Sequence, residues 1–249
     1  GNIDFSGSVE IKGDVESGFS VKATGDIEIS GMIGGAEVEG RNIIVRGGIR
    51  GMNVGKVHAL EDVTISFVEN ANLSAGRDIF VQDVILHSEV RAGHHVRVEG
   101  KRGIITGGVV SAGESIRAKV LGNDFYVQTV LNVGIDPHLR HRYNIMLKEY
   151  HQSGKRLMEI RRSIALLKKQ DPATLAPRRK EQLMEMTREQ FPLAGKIKRM
   201  REELRAIRAE LAQMKNGSIA ATDAIYPGVD VTINGKKRKI EDEHRHAKL

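Results

Sequence analysis

A parallel β-solenoid, split near its end by a long antiparallel coiled-coil hairpin, is the fold this sequence predicts. Three observations predict it. An apolar-x-apolar unit recurs every 16 to 20 residues through the first 120 residues. From Leu139 the apolar residues change to a spacing of four and three, sustained in two series as far as Met214. After Gly217 the two-residue alternation returns. The fold class is therefore mainly β with an α insertion.

The recurring unit reads Val9-Glu10-Ile11, Ile27-Glu28-Ile29, Ile43-Ile44-Val45, Val63-Thr64-Ile65, Ile79-Phe80-Val81, Val96-Arg97-Val98 and Ile116-Arg117-Ala118. Turn signals precede many of these units, as in Gly40-Arg41-Asn42, Gly76-Arg77-Asp78, Gly93-His94-His95 and Gly113-Glu114-Ser115. A period of this length marks a solenoid, because one coil is too small to bury its own inward face and stacked coils bury it for each other. Side chains alternate across a strand, so the first and third residues of each unit point inward and the middle one outward. A left-handed hexapeptide helix is the rival, and the intervals Leu73 to Ile79, Val90 to Val96 and Val110 to Ile116 are six residues long. Coil length varies, however, and the alternation Val9-x-Ile11-x-Gly13-x-Val15 outruns a hexapeptide strand. The right-handed form is expected.

The first helical series is Leu139, Tyr143, Met146, Tyr150, Ser153, Leu157, Ile160, Ile164 and Leu167; the second is Leu183, Met186, Gln190, Leu193, Ile197, Met200, Leu204, Ile207, Leu211 and Met214. Each is a heptad seam. Asp136-Pro137 supplies an N-cap and a first-turn proline, Asn216-Gly217 a stop, and Gln170 to Pro177 a turn. Pro192 lacks an N–H and is expected to bend the second helix opposite Ser153-Gly154. After the hairpin, Val229-x-Val231-x-Ile233 repeats the solenoid unit. The expected organisation is a β-helix over 1–136 and 217–235, a hairpin over 137–216, and a basic, mobile tail over 236–249.

Composition narrows the function classes. The chain of 249 residues contains no cysteine and no tryptophan, and aromatic residues make up 4% of it. Disulfides and zinc–thiolate sites are thereby excluded, and base-stacking recognition of nucleic acid is disfavoured. No apolar run has the ~18 residues of a transmembrane helix, so the cytoplasm is the expected compartment. The opening Gly1-Asn2-Ile3 lies already inside a strand pattern and reads as a fragment of a longer protein. The net charge of +7 is uneven: acids outnumber bases in the first 120 residues, and the cations concentrate after them.

Val133-Gly134-Ile135-Asp136-Pro137 leading into the helices, and Ile225-Tyr226-Pro227-Gly228-Val229 leading out of them, follow a glycine-punctuated repeat. In this combination the chain resembles the flagellar assembly protein A family. The resemblance implies a cytoplasmic bacterial protein that supports flagellar assembly, placed at the cell pole or flagellar base, with a further amino-terminal domain. It brings no catalytic motif and no cofactor. The repeat alone is shared by bactofilin-type polymers, so a cytoskeletal polymer built by end-to-end stacking is the alternative.

Catalytic readings find little support. His94-His95 sits at a turn, with His58 and His87 elsewhere in the repeat, and no acid in the sequence is placed to orient any of them. His244-Arg245-His246 has two ligand-type residues and lacks a third. Gly31-Met32-Ile33-Gly34-Gly35 has no Gly-Lys-Ser or Gly-Lys-Thr and no following helix. Two surfaces remain as candidate partner-binding sites. One is the basic hairpin tip: Arg161, Arg162, Lys168 and Lys169 before the turn, Arg178, Arg179 and Lys180 after it. The other is an outward apolar set, Ile44 and Phe80 with Thr64 between. The expected partner is an acidic protein of the flagellar or regulatory machinery, with self-association as the second case.

Overall fold

The computed structural model describes residues 1–134, 137–169, 176–213 and 217–249. The calls on Ile135, Asp136, residues 170–175, Met214 and Asn216 lie outside the described residues. The chain divides into two compact units, residues 1–138 with 214–249, and residues 139–213.

The first unit is a β-solenoid carried by a 20-stranded sheet. Successive coils pair in parallel and in register. One inward column runs Val9, Ile27, Ile43, Val63, Ile79, Val96, Ile116 and Ile219. Below the first coil's Val9 exposure ends: from Ile27 to Ile219 the members are at most 1% exposed. A second face stacks Ile33, Ile49, Val68, Ile85, Ile105, Leu121 and Ile225. A third stacks Val38, Val57, Leu73, Val90, Val110, Leu131 and Val231. Each buried Val, Leu or Ile contributes about 1.5–3 kcal/mol relative to exposure. The stack of aliphatics, none of which needs a hydrogen bond, is what holds the coils together.

A polar ladder runs beside the first column. From Ser8 to Asp78, the side chain of the residue before each inward Val or Ile accepts the backbone N–H of its counterpart one coil on. Ser8 Oγ accepts from Asp26 at 3.0 Å, Asn42 Oδ1 from Asp62 at 3.1 Å, Asp62 Oδ1 from Asp78 at 3.0 Å, and Asp78 Oδ1 from His95 at 3.1 Å. Asp26 Oδ1 closes the remaining step to the Asn42 N–H at 3.3 Å. The corner between strands is where ladder hydrogen bonds lapse, and these short side chains restore them. Among the described residues no buried side-chain polar atom is left without a partner.

The helices interrupt the solenoid without shifting it. The chain leaves after the strand Thr129–Val133 and resumes at Ser218–Ile225, with Ser218 in register on Ser115 and Val229 on Thr129. The two ends of the excursion meet at Gly134 and Gly217. A Cβ on Gly217 would lie 2.5 Å from the Gly134 nitrogen, so the close approach requires glycine there.

Residues 236–249 correct the expectation of a mobile tail. Strand Lys236–Lys239 pairs antiparallel with Val229–Ile233, and His244–Arg245 pairs antiparallel with Ser218–Ile225. Ile219 and Leu249 exchange backbone hydrogen bonds at 3.1 and 2.8 Å, and Ile240 is 1% exposed. Widely spaced Ile240, Ala247 and Leu249 fasten a segment that otherwise reads as a charge run.

The second unit contains α1 (Pro137–Lys168) and α2 (Pro177–Gln213). Ion pairs among the described residues that join them include Arg142 with Glu203, Glu149 with Lys196 at 2.6 Å, and Arg156 with Glu189 at 3.1 Å. Seven residues forward along α1 correspond to seven residues back along α2. All described positions of the two predicted seams are buried or half-buried, with Leu157, Ile160, Ile164, Ile197, Met200, Leu204 and Ile207 buried. Pro192 does not break the helix; α2 continues through it, and the proline is exposed. An outward proline forgoes one backbone hydrogen bond while the seam on the opposite face stays packed.

Candidate docking surfaces

Of the cations expected at the tip, Arg161 and Arg162 lie about two turns inside the end of α1, and the others fall at or beside the two helix ends. Lys168 occupies the last turn of α1, and Arg178, Arg179 and Lys180 the first turn of α2, which holds no acid. Arg161, Arg162, Lys168, Lys169 and Arg178 to Lys180 are all exposed. Cations are favoured at a helix C-terminus and disfavoured at an N-terminus, by about 0.3–1 kcal/mol each. Lys168 therefore suits its helix, whereas Arg178, Arg179 and Lys180 oppose theirs. Ala176, whose carbonyl accepts the Arg179 and Lys180 N–H groups at 2.9 and 3.2 Å, has no side-chain acceptor to cap that end.

The register brings Ile44, Thr64 and Phe80 onto consecutive coils. Ile44 is 44% and Phe80 38% exposed. Two coil spacings separate them, about 10 Å. Glu28 precedes them in the same outward column and Arg97 follows. Thr64 stands between the two apolar side chains, and the set is short.

Two features escaped sequence reasoning. On the second face a further apolar column runs Phe67, Val84, Ile104, Val120 and Ala224, of which Val84 and Ala224 are buried and the rest half-buried. Its signal was available: each member adjoins an inward aliphatic, giving Phe67-Val68, Val84-Ile85, Ile104-Ile105 and Val120-Leu121 in place of strict alternation. The other is the loop holding Phe125 and Tyr126, which are 81% and 62% exposed. Tyr126 has a φ of 56°, a strained conformation for an aromatic residue. Its carbonyl lies 2.6 Å from where a Cβ on Gly228 would stand.

His58, His87 and His95 lie in strands of the solenoid wall, and His94 in the bend before the last of these. His95 Nδ1 lies 2.8 Å from Ser115 Oγ, with Glu114 3.5 Å from Nε2, and His58 Nδ1 lies 2.8 Å from Ser74 Oγ. Glu114, which the sequence alone did not connect with His95, is thus beside it, but its side chain is 60% exposed. A base oriented by so solvated a carboxylate gains little, and the contacts link neighbouring coils. Two neighbouring grooves, of about 410 and 470 Å³, share Asn72 and Glu89 and are lined mainly by polar side chains. Among the described residues no three potential metal ligands converge. Arg41 beside Asp26 holds that carboxyl down at about 2, with Asn42 adding to the effect, and Arg102 likewise lowers Asp83. Both are ion-paired coil-to-coil contacts.

A family model described as the Flagellar Assembly Protein A (FapA) beta solenoid domain matches residues 1–249. No curated protein and no solved structure matches the chain.

Proposed function

This chain belongs to the flagellar assembly protein A family, and we propose that it acts there as a non-enzymatic docking factor, presenting a basic helical tip to an acidic protein partner. The observation that carries the reading is the placement of Arg178, Arg179 and Lys180 in the first turn of α2, where they work against the helix dipole. With no acid in that turn, Arg178 and Lys180 oppose the dipole at a cost that an acidic partner surface would offset while steering encounter. In this reading α1 and α2 form an antiparallel coiled-coil hairpin on a right-handed solenoid. Three ion pairs at seven-residue steps support the hairpin. The general handedness of parallel strand crossovers supports the coil. The 32 residues of α1 span about 48 Å, a long reach for a contact surface. No helix is long and apolar enough to cross a membrane among the described residues, and the proposed setting is the cytoplasm at the pole or flagellar base.

Polymerisation by end-to-end stacking is the other reading, and the carboxy-terminal strands weigh against it. They run antiparallel across the last coil, and all four residues of Lys236–Lys239 are exposed cations. A lysine-rich edge repels further pairing. The test of docking is affinity capture from a flagellated cell lysate, comparing the wild-type chain with Arg178→Glu/Lys180→Glu. Capture that falls in the double variant and with rising salt supports the reading. Equal capture by both chains contradicts it.

A further inference from the structure

The two flanks of the helical pair are chemically different. The three ion pairs named above lie on one flank, since Arg142, Glu149 and Arg156 are seven apart, as are Glu189, Lys196 and Glu203. Residues seven apart share a helix face. The opposite flank carries Leu147, Gly154 and Met158 from α1, and Met184, Phe191 and Ala194 from α2. The Arg156–Glu189 pair sets the level, placing Gly154 across from Phe191 and Met158 across from Thr187. Met158, Met184 and Phe191 are 69%, 57% and 68% exposed. A Cβ added to Gly154 would meet nothing within 4 Å, so a recess lies beside these projecting side chains. Ile145 and Leu166, also exposed, lie on the ion-paired flank as isolated residues.

Charge is sorted in the same way. This flank is bordered by Arg161 and Lys180 on the side of the tip, and by Lys198, Arg201 and Arg205 on the other. None of these five takes part in an ion pair among the described residues; Arg201 donates only to the Tyr150 hydroxyl, at 3.3 Å. The carboxylates of the two helices fall on the ion-paired flank or the outer backs, and none falls at the positions lining this flank. An apolar centre about 20 Å long, with cations at both ends and no acids, repels a second copy of itself.

We infer that this flank is a docking groove for an acidic amphipathic helix, whose apolar stripe covers Met158, Phe191 and Met184 while its carboxylates meet the bordering cations. The inference rests on the docking reading above and assigns it a site beside the tip. An occupant of this kind makes the pair a three-helix assembly, burying apolar surface that two helices leave in water.

The experiment uses the full chain and a fluorescein-labelled helical peptide of about 20 residues, with a leucine stripe and glutamate edges, plus a counterpart with lysine edges. The glutamate peptide is expected to bind, and to bind at least tenfold more weakly to Met158→Ser/Phe191→Ser. That variant should keep its helical circular dichroism, because both side chains are exposed. Arg162→Glu/Arg178→Glu, at the tip but off the flank, should change peptide affinity less than threefold. No binding of the glutamate peptide, equal binding of the lysine peptide, or full binding to the serine variant overturns the inference. Peptide binding that follows the tip variant instead also overturns it and leaves the tip reading standing. A wild-type dimer that the serine variant dissociates overturns it in favour of a second copy.

Discussion

Val96 and Arg97 are neighbours in sequence and opposites in the solenoid. Val96 is 0% exposed and stacked between Ile79 and Ile116; Arg97 is on the outer wall between Phe80 and Arg117. Val96→Asp removes about 1.5–3 kcal/mol of apolar burial. It also puts a carboxyl where the stack offers no donor, a penalty of several kcal/mol more even if the group takes up a proton. Set against a typical total stability of about 5–15 kcal/mol, that is enough to abolish cooperative folding of the stack, since each coil depends on its neighbours. Arg97→Glu changes a solvated face and should cost less than ~1 kcal/mol. Urea unfolding followed by far-ultraviolet circular dichroism, with size-exclusion chromatography, reads both. Equal tolerance of the two substitutions would refute the inward column.

The glycines give opposite expectations. Gly195→Ala, whose Cβ meets open space within α2, should stabilise the helices by about 0.5–1 kcal/mol, whereas Gly93→Ala places a Cβ 2.0 Å from the Gly76 carbonyl oxygen and should destabilise the solenoid by about 1–3 kcal/mol; thermal melts at 222 nm distinguish them. Asp26 titrates below its ordinary 3.8, at about 2, so its contribution is full above about pH 4 and is lost as pH falls toward 2. Asp26→Asn keeps the ladder acceptor but removes the Arg41 pairing, so urea midpoints should fall less between pH 5 and pH 2 than in the wild type; an unchanged acid limb counts against the ion pair. Removing residues 236–249 uncovers the last coil and should lower its melting temperature and promote self-association, read by light scattering; a monomer of unchanged stability would mean that the carboxy-terminal strands do not close the stack.

The solenoid was legible because its signal is the strongest a sequence offers. Val, Ile and turn residues recur with a period, and the column from Val9 to Ile116 followed from spacing alone. The two seams were legible for the same reason, even where Ser153 and Gln190 interrupt their apolar run. The carboxy-terminal strands were not, because Lys236-Lys237-Arg238-Lys239 has no apolar alternation and its pairing is backbone to backbone. Ser8, Asp26, Asn42, Asp62, Asp78 and His95 look like unrelated turn residues until the coils are stacked. The chemical sorting of the helix flanks becomes visible only once Arg142, Glu149 and Arg156 have found Glu203, Lys196 and Glu189. That Arg178, Arg179 and Lys180 oppose the α2 dipole needed the helix boundary at Pro177.

The central claim is that the helical tip docks the partner through which this protein supports flagellar assembly. The most direct measurement is the number of flagella per cell when Arg178→Glu/Lys180→Glu replaces the native chain at equal protein level. The account predicts fewer flagella with the fold intact, as judged by an unchanged melting profile of the purified variant. Normal flagellar number in cells that hold the folded double variant would contradict it.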